Sequence, residues 1–465
     1  MEAQQKFTVD NSKPFSWADK IGYMFGDIGN NFSFNLVNSF LMIFYTNVFG
    51  LSGASIGILF LIARFVDAFA DITVGRMVDN SDMHESGRFK PWISRMKWFL
   101  AAAAILVFVP YVAHYSLAVR LTYAFITYLA WGILYSSVNI PYGSLASAIS
   151  NNPSDKTQLS TWRAIGSAVG SAIVSYVVPI FMYVGTSQKI SGNRVFIIAI
   201  ICSVLALVSY TLTTNLTTER VRVEKQEPVP LGTMFKEMFK NKALVVLVVV
   251  DIVIVINQNL SGTTLTYLFN DYFHDKTAMS IALVFNFTTV LLLAPFASRI
   301  TDRFGRKEAS MWALAFGSVV YFILLFIHTT SPVVYLVFLF FGSLGAGMFN
   351  LMVWAFITDV IDNQQVLFGT REDGIVYGIN SFARKVAQAI AGGFAGFMLT
   401  LIGYVSSSNG GVQQTAAVSR KIYELAAGVP AVCLGLAALI LLFFYPLSKQ
   451  RVKDNAMKIA EMSEK

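Results

Sequence analysis

Apolar runs long enough to cross a bilayer follow one another along almost the whole chain, and no other feature constrains the fold so tightly. A spanning helix needs about 20 apolar residues. In hydrocarbon only helices and closed barrels satisfy every backbone N–H and C=O. Reading the apolar runs between polar breaks predicts helices at 21–49, 53–79, 92–113, 119–149, 160–185 and 193–214. Beyond a polar connection they resume at 243–272, 278–299, 308–328, 332–362, 372–404 and 418–446. The expected fold is an all-α polytopic membrane protein with 12 transmembrane helices. Its parts are an N-terminal segment (1–20), a six-helix bundle (21–214), a connection (215–242), a second six-helix bundle (243–446) and a tail (447–465). Only 13% of the residues are charged, against roughly 25% in soluble domains.

A net charge of +8 would point to nucleic acid in a soluble chain, but here the basic residues flank spans. Arg88, Lys90, Arg95 and Lys97 follow the second span, and Arg220, Arg222, Lys225, Lys236, Lys240 and Lys242 fill the connection. Arg303, Arg306 and Lys307 follow the eighth span, and Lys449, Arg451, Lys453 and Lys458 the twelfth. The positive-inside rule then makes both termini and the connection cytoplasmic, in a plasma (inner) membrane, and no nucleic-acid partner is implied. The first 20 residues lack the apolar core and cleavage site of a signal peptide. Cys202 and Cys433 lie in apolar stretches and imply no disulfide framework. There is no Walker A loop, CxxC or GxSxG, so the chain reads as neither an enzyme nor a cofactor binder.

One span stands apart. LFLIARFVDAFADITVGRMVD (Leu59–Asp79) carries Arg64, Asp67 and Asp71 in its middle. A charge near the bilayer centre costs roughly 2.5–3.5 kcal/mol on insertion scales, so such residues face a bundle interior or a wet cavity. The four-residue spacing puts both carboxylates on one helix face, with Arg64 on the same side. An arginine matched to one acid would lock helices together; the second carboxylate calls for a proton or a metal ion. Asp67 and Asp71 are therefore candidate ligands for a small hard cation, Na⁺ if the coupling is to Na⁺, otherwise H⁺. Lys385, well inside an apolar helix, needs an anionic partner. Asp67 and Asp71 supply one if the two halves face one another. Arg384 points about 100° away from Lys385 and has a different partner. Asn31, Asn35 and Asn38 form a stripe on the first helix, suited equally to sugar hydroxyls and to holding helices together. Tyr135 and Trp354 can stack on pyranose rings or simply pack. Asp79, Asp302, Asp359 and Asp362 are expected to pair with loop arginines such as Arg303 as a cytoplasmic gate.

The halves echo each other. G-x-x-x-D then GRFK in Gly75–Lys90 is matched by S-x-x-x-D-R then GRK in Ser298–Lys307, each after the second span of its half. Such duplication about an axis along the membrane normal is the architecture of the major facilitator superfamily. GYMFGDIGNN (22–31), FYTNVFGLS (44–52), ARFVDAFAD (63–71), GRFKPW (87–92), YSSVNIPYGSLASA (135–148) and REDGIVYGINSFARK (371–385) resemble the glycoside–pentoside–hexuronide:cation symporters. The likeness covers about Trp17 to Leu447 and is nearest to glucuronide and xyloside carriers. It implies a cation site at Asp67, Asp71 and Ser136. It places substrate contacts at Arg64, Arg163 and Lys385, with Asn31, Tyr135, Asn139 and Trp354. Where melibiose-type members carry sugar-binding aspartates this chain has Asn31 and Asn139, and their sugar-stacking tryptophan aligns with Gly143. The implied function is import of a glycoside, a glucuronide or xyloside, with Na⁺ or H⁺ by alternating access, as a monomer in the lipid bilayer. A lysolipid or other small-molecule carrier of the same fold, or a membrane sensor without flux, are the alternatives.

Overall fold

The computed structural model describes residues 14–463 except 80, 82–83, 85, 151, 185–188, 222–238, 240 and 370–372. The helices are α1 (Trp17–Asn47), α2 (Gly53–Asp79), α3 (Phe89–Leu106), α4 (Leu117–Ile149), α5 (Pro153–Met182) and α6 (Gly192–Leu216). They continue as α7 (Lys242–Asp271), α8 (Lys276–Phe304), α9 (Arg306–Ile327), α10 (Pro332–Phe368), α11 (Asp373–Leu401), α12 (Ala416–Phe444) and α13 (Lys449–Ser463). Among the described residues ten helices are long and apolar enough to cross a membrane. The helices below that mark, α1 and α11, are diluted by Asp27, Asn30, Asn31 and Asn35 and by Asn380, Arg384 and Lys385. Those polar residues build the clusters described below.

Local chemistry moves some boundaries. α1 starts at Trp17 because Asp19 reaches back to accept from the Ser16 N–H at 3.0 Å, an N-terminal cap. α10 runs on to Phe368, and Gly369 at φ 73° ends it with its N–H on the Gln365 carbonyl. The tail holds a helix, α13, where the sequence reading had none.

The described chain forms two compact units. The first comprises Met1–Leu51, Ile62–Glu227 and Ser406–Val412; the second Ser52–Leu61, Pro228–Val405 and Gln413–Lys465. In the first, α1 packs against α5 and α6, and α3 against α4 and α6. In the second, α7 packs against α11 and α12, and α9 against α10 and α12. The start of α2 belongs to the second unit, where Gly53 and Gly57 let it approach the backbone of α11. A Cβ at either would come within 2.6 Å of the Gly396 or Gly393 carbonyl.

The two GR loops do the same work in their own units. Gly87 (φ 105°) and Gly305 (φ 95°) turn the chain into α3 and α9 with a backbone only glycine adopts freely. Lys90 Nζ then donates to the Thr217 carbonyl at the end of α6 (2.6 Å), and Lys307 Nζ to the Tyr445 carbonyl at the end of α12 (2.7 Å). Each lysine caps the negative end of its unit's sixth helix. In the first unit Glu219 also accepts from the N–H groups of Arg88 (2.9 Å) and Lys90 (2.7 Å). Burial pushes its carboxyl above the usual range against the pull of those donors.

The tail helix is held by a buried amide relay. Asn455 donates to Asn363 (3.1 Å), and Asn363 to Asn241 (3.5 Å), which caps α7 and donates to the Val360 carbonyl (3.3 Å). Replacing Asn363 with leucine strands the buried Asn455 amide and takes one donor from Asn241, which keeps the α7 N–H groups and the Val360 carbonyl. A stranded group costs about 1–3 kcal/mol, so N363L should melt several degrees below wild type in detergent, with α13 more open to protease. An unchanged melting temperature would remove the relay from the account.

Candidate functional site

The acid-rich face of α2 lies against α4 in the first unit. Arg64 Nη1 stands 3.8 Å from Asp67 Oδ2, and both side chains are 15% exposed. Asp67 fits because Gly132 of α4 has no side chain: a Cβ there would overlap the Asp67 carboxylate. Ser136 is buried one turn further along α4, on the same face as Gly132, and Asp71 one turn further along α2. Of the predicted cation ligands, Asp67 is thus the one seen against α4, at Gly132. Arg64 also lies 5.8 Å over the ring of Phe34 on α1. Phe34 meets Tyr135 at 5.3 Å; Tyr135 stacks on Trp131 at 5.6 Å, and Trp131 on Tyr128 at 5.7 Å. Tyr135 therefore lies within an aromatic column, between Phe34 and Trp131, and keeps only part of its surface open.

A second cluster joins α1 to α5. Arg163 Nε donates to Asp27 Oδ1 at 3.2 Å, and its guanidinium lies 5.2 Å over the Tyr142 ring. Asn31 Nδ2 reaches the Asp27 carbonyl (2.8 Å), Asp27 Oδ2 (3.2 Å) and Ser167 Oγ (3.1 Å), and Asn31 Oδ1 accepts from Ser171 (2.7 Å). The Asn31 amide is fully engaged in joining helices. Asn30 donates to Asn139 Oδ1 (3.2 Å) and accepts from Tyr210 (2.9 Å), while Asn35 bonds the Ser171 carbonyl and Ser175. Beside Asn139, Gly143 faces open space, with nothing within 4 Å of an added Cβ. Asp27 went unremarked inside GYMFGDIGNN, yet it restores to Arg163 an acid that Asn31 and Asn139 do not supply.

In the second unit Arg384 Nη1 donates to Asp251 Oδ1 of α7 at 2.7 Å, the separate partner expected of it. Asp251, a lone acid in ALVVLVVVDIVIVIN, was legible as an intramembrane charge but escaped notice. Lys385, the next residue of α11, is partly buried. Trp354 on α10 is 54% exposed. Of the proposed gate, Asp359 pairs with Arg306 rather than Arg303, both ends lying in this unit. Asp362 is partly buried, and Asp302 and Arg303 are exposed, their carbonyls receiving Lys449 Nζ at 2.6 and 3.0 Å. The Asp79 side chain lies outside the described residues.

Two glycines of α4 offer a matched test. Gly132→Ala should displace the Asp67 carboxylate and weaken ion dependence of uptake about tenfold, one charge-assisted contact's worth. Gly143→Ala should leave it unchanged, since the added methyl meets open space. Equal behaviour of the two, read from uptake against ion concentration, would contradict the placement of Asp67.

Residues 22–449 match the family described as MFS/sugar transport protein. The chain is 29% identical over 456 residues to the isoprimeverose transporter of Lactiplantibacillus pentosus, covering 95% of this chain and 91% of that one. It is 29% identical over 452 residues to the glucuronide carrier protein homolog of Escherichia coli (strain K12), covering 96% of each. The crystal structure of a D-xylose-proton symporter shares the fold at a TM-score of 0.66 and 14% identity, over 93% of this chain and 98% of that one. With this match over nearly its whole length, the chain belongs to the MFS/sugar transport protein family, and it is a multi-pass membrane transporter rather than an enzyme.

Proposed function

We propose that the protein is a cation-coupled symporter that imports a glycoside, with Asp67 and Asp71 holding the coupling ion, Na⁺ or H⁺. The observation that carries this is the lodging of Asp67 on Gly132 of α4, one turn from Ser136, with Asp71 one turn along α2. In the clusters of α1, α2 and α5, Arg163 answers Asp27 and Arg64 answers Asp67. Asp67 and Asp71 bring two carboxylates to one face of α2, and a monovalent cation suits such a face in a low-dielectric span. A bound ion that neutralises this face changes the affinity for sugar, and sugar changes the affinity for the ion by the same factor. This linkage makes the ion gradient drive uptake by alternating access. The chain acts as a monomer in the plasma membrane, with both termini cytoplasmic.

The sugar contacts of the first unit are Arg163, the open side of Tyr135, Asn139 and the space at Gly143, and those of the second unit are Trp354 and Lys385. Asn31 serves by holding Asp27 and α5 in place. The names of the relatives, an isoprimeverose transporter and a glucuronide carrier homolog, support a glycoside. Between these, a glucuronide is the substrate we favour. An incoming carboxylate finds in Arg163 a guanidinium that Asp27 grips through one nitrogen, with 41% of the side chain exposed.

Uptake of a labelled glucuronide, its glucoside and a xyloside into proteoliposomes, with and without Na⁺ or a pH gradient, tests the reading. Gradient-driven accumulation of the glucuronide above the glucoside is the expected result. Indifference to all three sugars would overturn the glycoside assignment.

A further inference from the structure

The acid–arginine pair of the first unit has a counterpart in the second. Asp27 and Asp251 stand at similar depth in α1 and α7, the first helix of each half. Arg163 and Arg384 do so in α5 and α11, the fifth. The two pairs differ in how they are finished. Both oxygens of Asp27 are engaged, Oδ1 by Arg163 and Oδ2 by Asn31. In the second unit Asp251 is fully buried, yet its Oδ2 has no hydrogen-bond partner among the described residues. Asn380, one turn before Arg384 on the same face of α11, is 1% exposed, and neither its amide nitrogen nor its oxygen has a hydrogen-bond partner within the geometric limits among the described residues. Its amide lies beside the Asp251 carboxylate. Buried polar atoms left open are costly, and here they surround one ion pair. The guanidinium itself is 27% exposed and held through Nη1.

We propose that Arg384 is a specificity-determining contact for the carboxylate of the transported sugar, and that Asp251 and Asn380 position it. The remaining N–H groups of the guanidinium form a fork for a carboxylate. When the substrate draws Arg384 toward itself, the Asn380 amide takes up the Asp251 oxygen that the guanidinium releases. The open atoms are thus the standby partners of a pair built to loosen. The proposal rests on the glycoside reading above and adds to Arg163 a second residue that separates anionic from neutral sugars.

The test measures KM and maximal rate for a glucuronide and a neutral xyloside in proteoliposomes. It compares wild type, Arg384→Gln, Arg384→Lys and the double variant Asp251→Asn/Arg384→Gln. Arg384→Gln should raise the glucuronide KM about tenfold or more, the loss of one charge-assisted hydrogen bond, and leave the xyloside KM within about twofold. Arg384→Lys should recover part of the loss, since a point charge replaces the fork. Arg384→Gln alone leaves a buried carboxylate uncompensated and can fail to fold; the double variant removes both charges and should show the same selective loss. A double variant with wild-type glucuronide KM, or equal losses for both sugars, would make the pair a structural lock and overturn the proposal. A wild type that moves xyloside but not glucuronide would overturn it as well while leaving transport intact. A wild type that moves neither would instead defeat the transport reading.

Discussion

A carboxylate inside a bilayer-crossing helix is tolerated only with a cation or hydrogen-bond donors in reach, and the placement of the helices in this protein follows from that requirement. Asp27 draws Arg163 of α5 onto α1, and Asp251 draws Arg384 of α11 onto α7. Asp67 is met by Arg64 on its own helix and by the bare backbone of α4 at Gly132. At the helix ends the same rule holds. Asp19, 1% exposed, receives both terminal nitrogens of Arg220 at 3.0 and 3.1 Å and so ties the start of α1 to the chain beyond α6. Removing one member of such a buried pair is far more damaging than removing both. These side chains therefore constrain one another more than the apolar residues around them.

Duplication gives the arrangement its economy. Each unit has a glycine-led turn into its third helix, a lysine capping its sixth, and an acid–arginine pair between its first and fifth. The units diverge where function requires it. Only the first carries the Arg64, Asp67 and Asp71 set on its second helix, and among the described residues Asp251 of the second unit keeps an open oxygen where Asp27 of the first has both engaged.

Much of this was legible in the sequence. The span lengths followed from bilayer thickness, and the carboxylates of α2 stood out because charge is rare in such helices. The polar stripe of α1 was visible too, but its use was not. Periodicity puts Asn31 and Asn35 on one face without saying that the serines of α5 occupy them. Asp27 and Asp251 were hidden for another reason. A single acid with no basic neighbour on its own helix has its partner far along the chain, and only the fold, or the matching positions 27 and 251, 163 and 384, brings the partner into view. The tail helix escaped because its anchor is one buried asparagine in an otherwise charged segment. Asp359 was expected to meet a loop arginine, and of the neighbouring candidates packing selected Arg306.

The most direct measurement is sugar-induced ion movement in proteoliposomes, comparing wild type with Asp71→Asn, with and without Na⁺. The account predicts a current or internal pH change on adding glycoside to wild type that disappears in the variant, while sugar still binds. Sugar flux without ion movement in wild type, or an Asp71→Asn variant that moves ions as wild type does, would contradict it and leave the carboxylates of α2 as a structural lock.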